Sequence, residues 1–245
     1  MADFCDLTNR KVMQEIAPQV YHLPLMPRNA INCFVVDGIL VDAGIRSSKR
    51  RLLRALRTLP VHAHLLTHAH ADHQGSTAAV CRELGLPLWT SPWEQANAES
   101  GRVVYQYPNA RHLVARLQQR YWAGPGHPVA RTLHEGEAVG SFTVIDTPGH
   151  SQGHISLYRA EDGVLIAGDA LVHMNLLTTA VGLALPPGLF TTDMARALAS
   201  VKKLQQLRPR IMAFGHGPVL YDAAPQLDRL VEKIEQKRST SKVQV

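Results

Sequence analysis

Apolar residues along this chain alternate, or run in short blocks, more often than they recur at helical spacing. Residues 31–42, INCFVVDGILVD, form two such blocks around Asp37-Gly38, a dipeptide suited to the two-residue turn of a β-hairpin. Ser47 or Ser48 is placed to cap the stretch SSKRRLLRALRTL, where Leu52, Leu53 and Leu56 share a helical face and Pro60 marks the end. VHAHLLT reads as a buried strand, Gln74 to Leu84 as a helix stopped by Gly85, and PLWT as another short strand. Strand patterns return at 139–146, 154–159 and 163–168, the last two joined around Glu161-Asp162-Gly163. Asp193 opens a helix to about Leu207, IMAF is a strand, and Pro225 to Arg238 is a closing helix before the polar tail STSKVQV, expected to fray.

Residues 91–130 break this rhythm. Pro92, Pro108, Pro125 and Pro128 stand among Trp93, Tyr105, Tyr107, Tyr121 and Trp122, and the stretch is expected to form a helical insertion laid over the body. Elsewhere strands outnumber helices, and hairpins mix with β–α–β units. Sheets must bury both faces, so two sheets packed together with helices outside are the natural solution. Without a linker or short repeat, residues 1–245 read as one domain of the α/β (α+β) class.

Composition supports a globular fold. Of 245 residues, 45% are hydrophobic and 19% charged, enough to build a core and contrary to disorder, collagen-like repeats or coiled coil. Cys5, Cys33 and Cys81 are odd in number and widely spaced, which suits a reducing cytoplasm better than a disulfide framework or a thiolate metal site. The start, MADFCDLTNR, has no apolar core and does not resemble a secretory signal. Ala170 to Thr192 lacks Asp, Glu, Lys and Arg, but His173, Asn175 and Pro186-Pro187 argue against a membrane span. That stretch reads as buried loop and strand, and no membrane partner is expected.

The chain has thirteen histidines, and their placement points to metal chemistry. The strand VHAHLLT runs into His68-Ala69-His70-Ala71-Asp72-His73. Side chains two apart on an extended segment point the same way, so His68 and His70 can hold one ion, while a turn into the next helix swings Asp72 and His73 onto a neighbouring position. Further donors are expected at other strand ends: His150 in DTPGH, Asp169 in LIAGDA and His216 between glycines in GHGP. An unpartnered carboxylate after the apolar run LIAG would be costly. Imidazoles and carboxylates without thiolate suit zinc and admit iron or manganese.

The ordered set THAHADH, TPGH, AGD and GHG, with the earlier Asp42-Ala43-Gly44, resembles the metallo-β-lactamase superfamily over roughly Asn32 to Gly217. The resemblance implies a four-layer αββα sandwich with two divalent metal ions at one edge of the paired sheets. It assigns His68, His70 and His150 to one metal and Asp72, His73 and His216 to the other, with Asp169 bridging and Asp42 bracing the site. Two cations sharing a water would lower its pKa to about 7 or below, giving a hydroxide nucleophile. Asp72 would then act catalytically, orienting that nucleophile and shuttling its proton.

Within the superfamily the residues favour a hydrolase of a lactone, ester or thioester, with a small-molecule substrate. Asp169 as a bridging ligand points away from dedicated zinc β-lactamases. His70 stands where flavodiiron proteins carry glutamate, and the complete ligand set argues against one-iron persulfide dioxygenases. Glyoxalase II-like thioesterases share all seven ligands, but only 29 residues follow His216, short of their helical glutathione-binding domain. Acyl-homoserine lactonases match in ligands and size, although Val172 stands where many have tyrosine. The alternatives are a phosphodiesterase of the tRNA-end-processing kind, a promiscuous β-lactamase or, last, a non-catalytic metal-binding scaffold. The phosphodiesterase would use the run Arg46, Lys49, Arg50, Arg51, Arg54 and Arg57. Those cations read better as a solvated outer helix face, which disfavours nucleic acid. A homodimer is left open.

Overall fold

The computed structural model describes residues 13–243. Cys5 and the rest of the opening segment, residues 1–12, lie outside the described residues, while Cys33 and Cys81 are free and buried.

The first half of the chain builds a seven-stranded sheet in sequence order. Its strands are β1 (Gln14–Ala17), β2 (Val20–Pro24), β3 (Asn32–Val36), β4 (Ile39–Val41), β5 (Ala63–Leu65), β6 (Leu88–Thr90) and β7 (Val129–Thr132). The first four pair antiparallel, and β4 through β7 are parallel. The β3–β4 hairpin turns where expected, with Asp37 at φ 47° and Gly38 at φ 76°, the left-handed pair that such a turn requires. The β1–β2 hairpin is not evident in the hydrophobic pattern, because QEIA and VYHLP are too short and too polar to stand out.

The second half builds β8 (Ala138–Val139), β9 (Phe142–Asp146), β10 (Ile155–Arg159), β11 (Val164–Gly168), a separate ribbon of β12 (Val172–Met174) and β13 (Val181–Ala184), then β14 (Ile211–Phe214) and β15 (Leu220–Tyr221). Its six-stranded sheet has the order β15-β14-β11-β10-β9-β8. Alternation along each strand sorts the core into layers. Phe34, Val36, Val41 and Leu65 of the first sheet meet Val144, Leu157, Ile166 and Ala213 of the second. Their intervening neighbours face outward: Cys33, Val35 and Leu40 toward one helical layer, and Ile145, Leu165, Ala167 and Phe214 toward the other.

The helical layers contain α1 (Lys49–Leu56), α2 (Ala71–Gln74), α3 (Thr77–Leu84), α4 (Pro92–Ser100), α5 (Leu113–Tyr121), α6 (Met194–Gln206) and α7 (Ala223–Val243). Leu52, Ala55 and Leu56 of α1 join Val80 and Cys81 of α3 over the first sheet. Val201 and Leu204 of α6 join Leu227 and Val231 of α7 over the second. This is the αββα sandwich.

Four local expectations change. Ser48 is the N-cap of α1 but makes no side-chain capping bond, because residues 46–48 form a 3-10 turn ahead of it. The helix expected over 74–84 is two helices parted at Gly75 and Ser76, with Asp72 and His73 in the first. Residues 170–192 are buried mainly at their start, with Pro186 and Thr191 buried further on; β13 is largely exposed, because it pairs only with β12 and has no sheet above it. The closing helix runs past Arg238 to Val243 rather than fraying, and Gln244 and Val245 lie outside the described residues.

Candidate metal centre

Six of the eight chemically distinctive residues follow the C-terminal end of a strand. Asp42 follows β4, His68 and His70 follow β5, His150 follows β9, Asp169 follows β11 and His216 follows β14. The register of the two sheets brings these ends to one edge, and α2 adds Asp72 and His73 from its first turn.

Three donor trios result, with the ligating atoms of each within 4.8 Å of one another: His68, His70 and His150; His68, His73 and Asp169; and Asp72, His73 and His216. Asp169 lies among them, its Oδ2 3.5 Å from the Nε2 of His73 and of His150 and 3.1 Å from that of His216. Asp72 Oδ2 is 3.4 Å from His216 Nε2. All seven residues proposed from the sequence are thus brought together.

Hydrogen bonds behind the imidazoles decide which ring nitrogen faces inward. His73 Nδ1 donates to Asp42 Oδ2 at 2.8 Å, and His216 Nδ1 donates to the Ala30 carbonyl at 2.6 Å. Thr67 Oγ1 commits its proton to Asp42 Oδ2, so at 3.1 Å it accepts from His68 Nδ1. Thr191 Oγ1 donates to the Pro187 carbonyl and so accepts from His150 Nδ1 at 3.2 Å. Four rings are therefore held with Nδ1 outward and Nε2 toward Asp169. Asp42 anchors two of these arms while its backbone stands at φ 60°, a conformation that costs a non-glycine residue about 1–3 kcal/mol.

The inward atoms fit metal ions on their own chemistry. The Nε2 atoms of His68, His70, His73 and His150, and Oδ1 of Asp169, are buried without a hydrogen-bond partner. Buried polar atoms are seldom left so, and cations are what a mixed N/O set of this kind attracts. Burial holds His68 and His70 well below the usual imidazole range, with neighbouring imidazoles adding to the effect on His68. Burial likewise lowers His150 to about 4, against the pull of Asp169. At His73 and His216 burial also pulls downward, but the carboxylate charges outweigh it, leaving His73 raised and His216 at about 10. Asp72 and Asp169 stay ionised, because contact with these imidazoles overcomes the upward push of burial.

Tight backbone approach explains GHG. A Cβ on Gly215 would lie 2.2 Å from Asp169 Oδ1 and 2.6 Å from His73 Cε1.

Several contributors were not legible in the sequence. Glu94 is fully buried; its Oε2 accepts from Ala69 N at 2.9 Å, and its Oε1 from Ser151 Oγ at 2.7 Å and Gly153 N at 3.0 Å. It therefore ties the His68–His70 loop to the segment after His150. In the sequence, Ser91-Pro92-Trp93-Glu94 reads as a capping box; in the fold Ser91 Oγ donates instead to the Gly153 carbonyl. His154 braces the site: Asp169 N donates to its Nε2 at 2.9 Å, and Nδ1 meets Thr147 Oγ1 at 2.7 Å. His173 packs, its Nδ1 donating to the Pro218 carbonyl.

A cavity of about 270 Å³ opens onto the cluster. Its walls include Met26, Ile31, Tyr107, Val114, Trp122, Leu176 and Phe190, and no lysine or arginine lines it. Tyr107 stands edge-on to His70 with ring centroids 4.5 Å apart, backed by Phe190 at 5.5 Å. Arg46 of the basic run is tied to the carbonyls of Trp122 and Ala123 behind the cavity wall, while Arg50, Arg51, Arg54 and Arg57 are exposed on or just past α1, and Lys49 pairs with Glu83 at 3.1 Å.

An αββα sandwich with a histidine–aspartate cluster at one edge of its sheets defines a metallo-hydrolase. The chain belongs to the metallo-beta-lactamase superfamily, whose family model matches residues 26–216. It is 30% identical over 204 residues to a probable metallo-hydrolase, YflN, of Bacillus subtilis (strain 168), covering 73% of this chain and 75% of that protein. Among solved structures it is similar to the metallo-beta-lactamase family protein TTHA1429 of Thermus thermophilus, with 25% identity, a TM-score of 0.67, and coverage of 92% and 82% of the two chains. A second, TTHA1623 in a di-iron-bound form, is 30% identical with a TM-score of 0.61, covering 83% of this chain and 95% of that one.

Proposed function

We propose that this metallo-hydrolase is dinuclear and cleaves an uncharged lactone, ester or thioester of a small, largely apolar acyl compound. His68, His70 and His150 would hold one divalent ion, and Asp72, His73 and His216 the other, with Asp169 shared; zinc suits the donor set best. The carrying observation is the pairing of these donors with a largely apolar cavity that no lysine or arginine lines. A glutathione conjugate carries negative charge remote from its scissile bond, which walls without lysine or arginine leave unmatched. The di-iron form of the 30% identical relative supports two metals and keeps iron in view.

Bound metal supplies a water acidified toward neutral pH and a Lewis acid for the scissile carbonyl. The residues do the rest. Asp72 faces the cavity as an ionised acceptor, placed to orient the attacking water and take its proton toward the leaving oxygen or sulfur. Tyr107, Phe190 and Trp122 exclude bulk water from the acyl group, which strengthens each electrostatic contact inside.

Elemental analysis paired with hydrolysis of aliphatic lactones, esters and thioesters, a phosphodiester and nitrocefin tests this reading. Two equivalents of metal and an acyl substrate as the best are expected. A phosphodiester or nitrocefin turned over as well as the best acyl substrate refutes it.

A further inference from the structure

Of thirteen large hydrophobic side chains exposed among the described residues, nine fall in two stretches, 105–121 and 176–189. Both stretches also wall the cavity, through Tyr107 and Val114 in one and through Leu176 in the other, whose next residue, Phe190, lines it too. The exposure is not marginal: Leu177 is 96% exposed and Leu113 67%. On α5, Leu113, Leu117 and Tyr121 follow one another at every fourth residue and share an outward face, while Ala115 and Gln118 turn inward and are buried. Patches of this kind mark surfaces that meet a partner.

Within the two stretches the charge has one sign. Residues 101–134 contain five arginines and no aspartate or glutamate, and residues 170–192 contain no charged residue. Arg131 pairs with Glu137; Arg102, Arg111, Arg116 and Arg120 make no ion pair among the described residues. Leucines interleaved with arginines on a helix surface are the composition of an element lying in a lipid interface.

We infer that the face formed by α5 and the 176–189 stretch docks on an anionic lipid surface, setting the cavity beside compounds dissolved there. A second copy of the chain fits less well, because a twofold interface here would bring arginines against arginines with no acid between them. The expectation of no membrane partner concerned spanning segments, and no helix among the described residues is long and apolar enough to cross a membrane. Surface docking is a different mode, made visible by the exposure of these leucines. Its relevance to substrate delivery rests on the acyl-hydrolase reading, but the docking itself does not.

The test is co-sedimentation of the full chain with vesicles rich in phosphatidylglycerol and with vesicles of phosphatidylcholine alone. Binding to the anionic vesicles only, weakening with added salt, is expected. Arg111→Gln and Arg116→Gln should each weaken it about fivefold, and Leu113→Ser with Leu117→Ser about tenfold. Neither change should alter hydrolysis of a short soluble ester, which confirms that the variants fold and tests the hydrolase reading separately. No sedimentation, equal binding to both vesicle types, or binding unaffected by these substitutions overturns the proposal. So does a change from dimer to monomer in the leucine variant without vesicle binding by the parent chain.

Discussion

Glu94 offers the sharpest test of how the metal centre is held. Its carboxylate accepts from Ala69 N, Ser151 Oγ and Gly153 N at 2.7–3.0 Å with no exposure to solvent. In Glu94→Gln the amide oxygen can keep Ser151 and Gly153 where Oε1 stood. The NH2 group then faces the Ala69 N–H, donor against donor. One buried donor left without an acceptor costs about 1–3 kcal/mol, which in a chain of this size lowers Tm by roughly 2–12 °C. Glu94→Ala strands all three donors and should cost about 3–5 kcal/mol, the range for breaking a buried charged contact. The consequence for the metals is directional. Ala69 lies between His68 and His70, and Ser151 follows His150, so the loosening falls on the first trio. Affinity there should drop about 10–100-fold, as for other groups that position ligands, while the Asp72–His73–His216 position keeps its ion. Calorimetric titration of the metal-free variant resolves the two sites, and thermal unfolding measures stability. Wild-type Tm with two sites of wild-type affinity in Glu94→Gln would refute the assigned role. A lower Tm with both affinities intact would leave Glu94 a structural tie and nothing more.

Three further outcomes are expected. Dialysis against a strong chelator should abolish hydrolysis and lower Tm, and divalent metal should restore both; activity that survives metal depletion would contradict the centre. Asp42→Asn removes the charge that anchors His73 and Thr67 and should weaken metal binding about 10–100-fold with the fold retained, as seen by metal titration alongside circular dichroism. Gly215→Ala places a methyl 2.2 Å from Asp169 Oδ1, so metal content and kcat should fall together. Unchanged kcat in that variant would show that the Asp169 carboxylate can move freely.

What the sequence disclosed, and what it concealed, divides along physical lines. Two packed sheets with helices outside were legible because the apolar runs at 32–36 and 164–168 are buried at every position, and the four-layer αββα order was what the motif resemblance implied. The seven donors were legible because they cluster locally or sit beside glycines at strand ends. Glu94 was concealed because its local pattern already had an ordinary explanation as a helix cap. Its true partners lie 25 and 57 or more residues away, and nothing local records such a distance. Tyr107 and Phe190 were concealed as a pair for the same reason. The exposure of the α5 leucines was concealed, since an apolar residue in a sequence shows its hydrophobicity but not whether anything covers it.

The electrostatics of the cluster explain why so costly an arrangement is kept. Taking a carboxylate out of water costs several kcal/mol unless opposite charge accompanies it, and Asp169 is buried with imidazoles as its neighbours. Protons on His73 and His216 meet part of this need: the charges of Asp169, Asp42 and Asp72 hold these two imidazoles above their ordinary range. Meanwhile burial keeps His68, His70 and His150 neutral, with lone pairs ready to ligate. Divalent ions held by such a site would displace the protons on His73 and His216, and the unpartnered Nε2 atoms and Asp169 Oδ1 are the atoms that would hold them. Metal loading is thereby coupled to proton release. The outward Nδ1 bonds to Ala30, Asp42, Thr67 and Thr191 mean that little rearrangement is needed when it happens. The bracing is thus part of the centre's affinity, which is why Asp42 and Glu94, neither of them a ligand, are the residues whose loss should be felt at the metals.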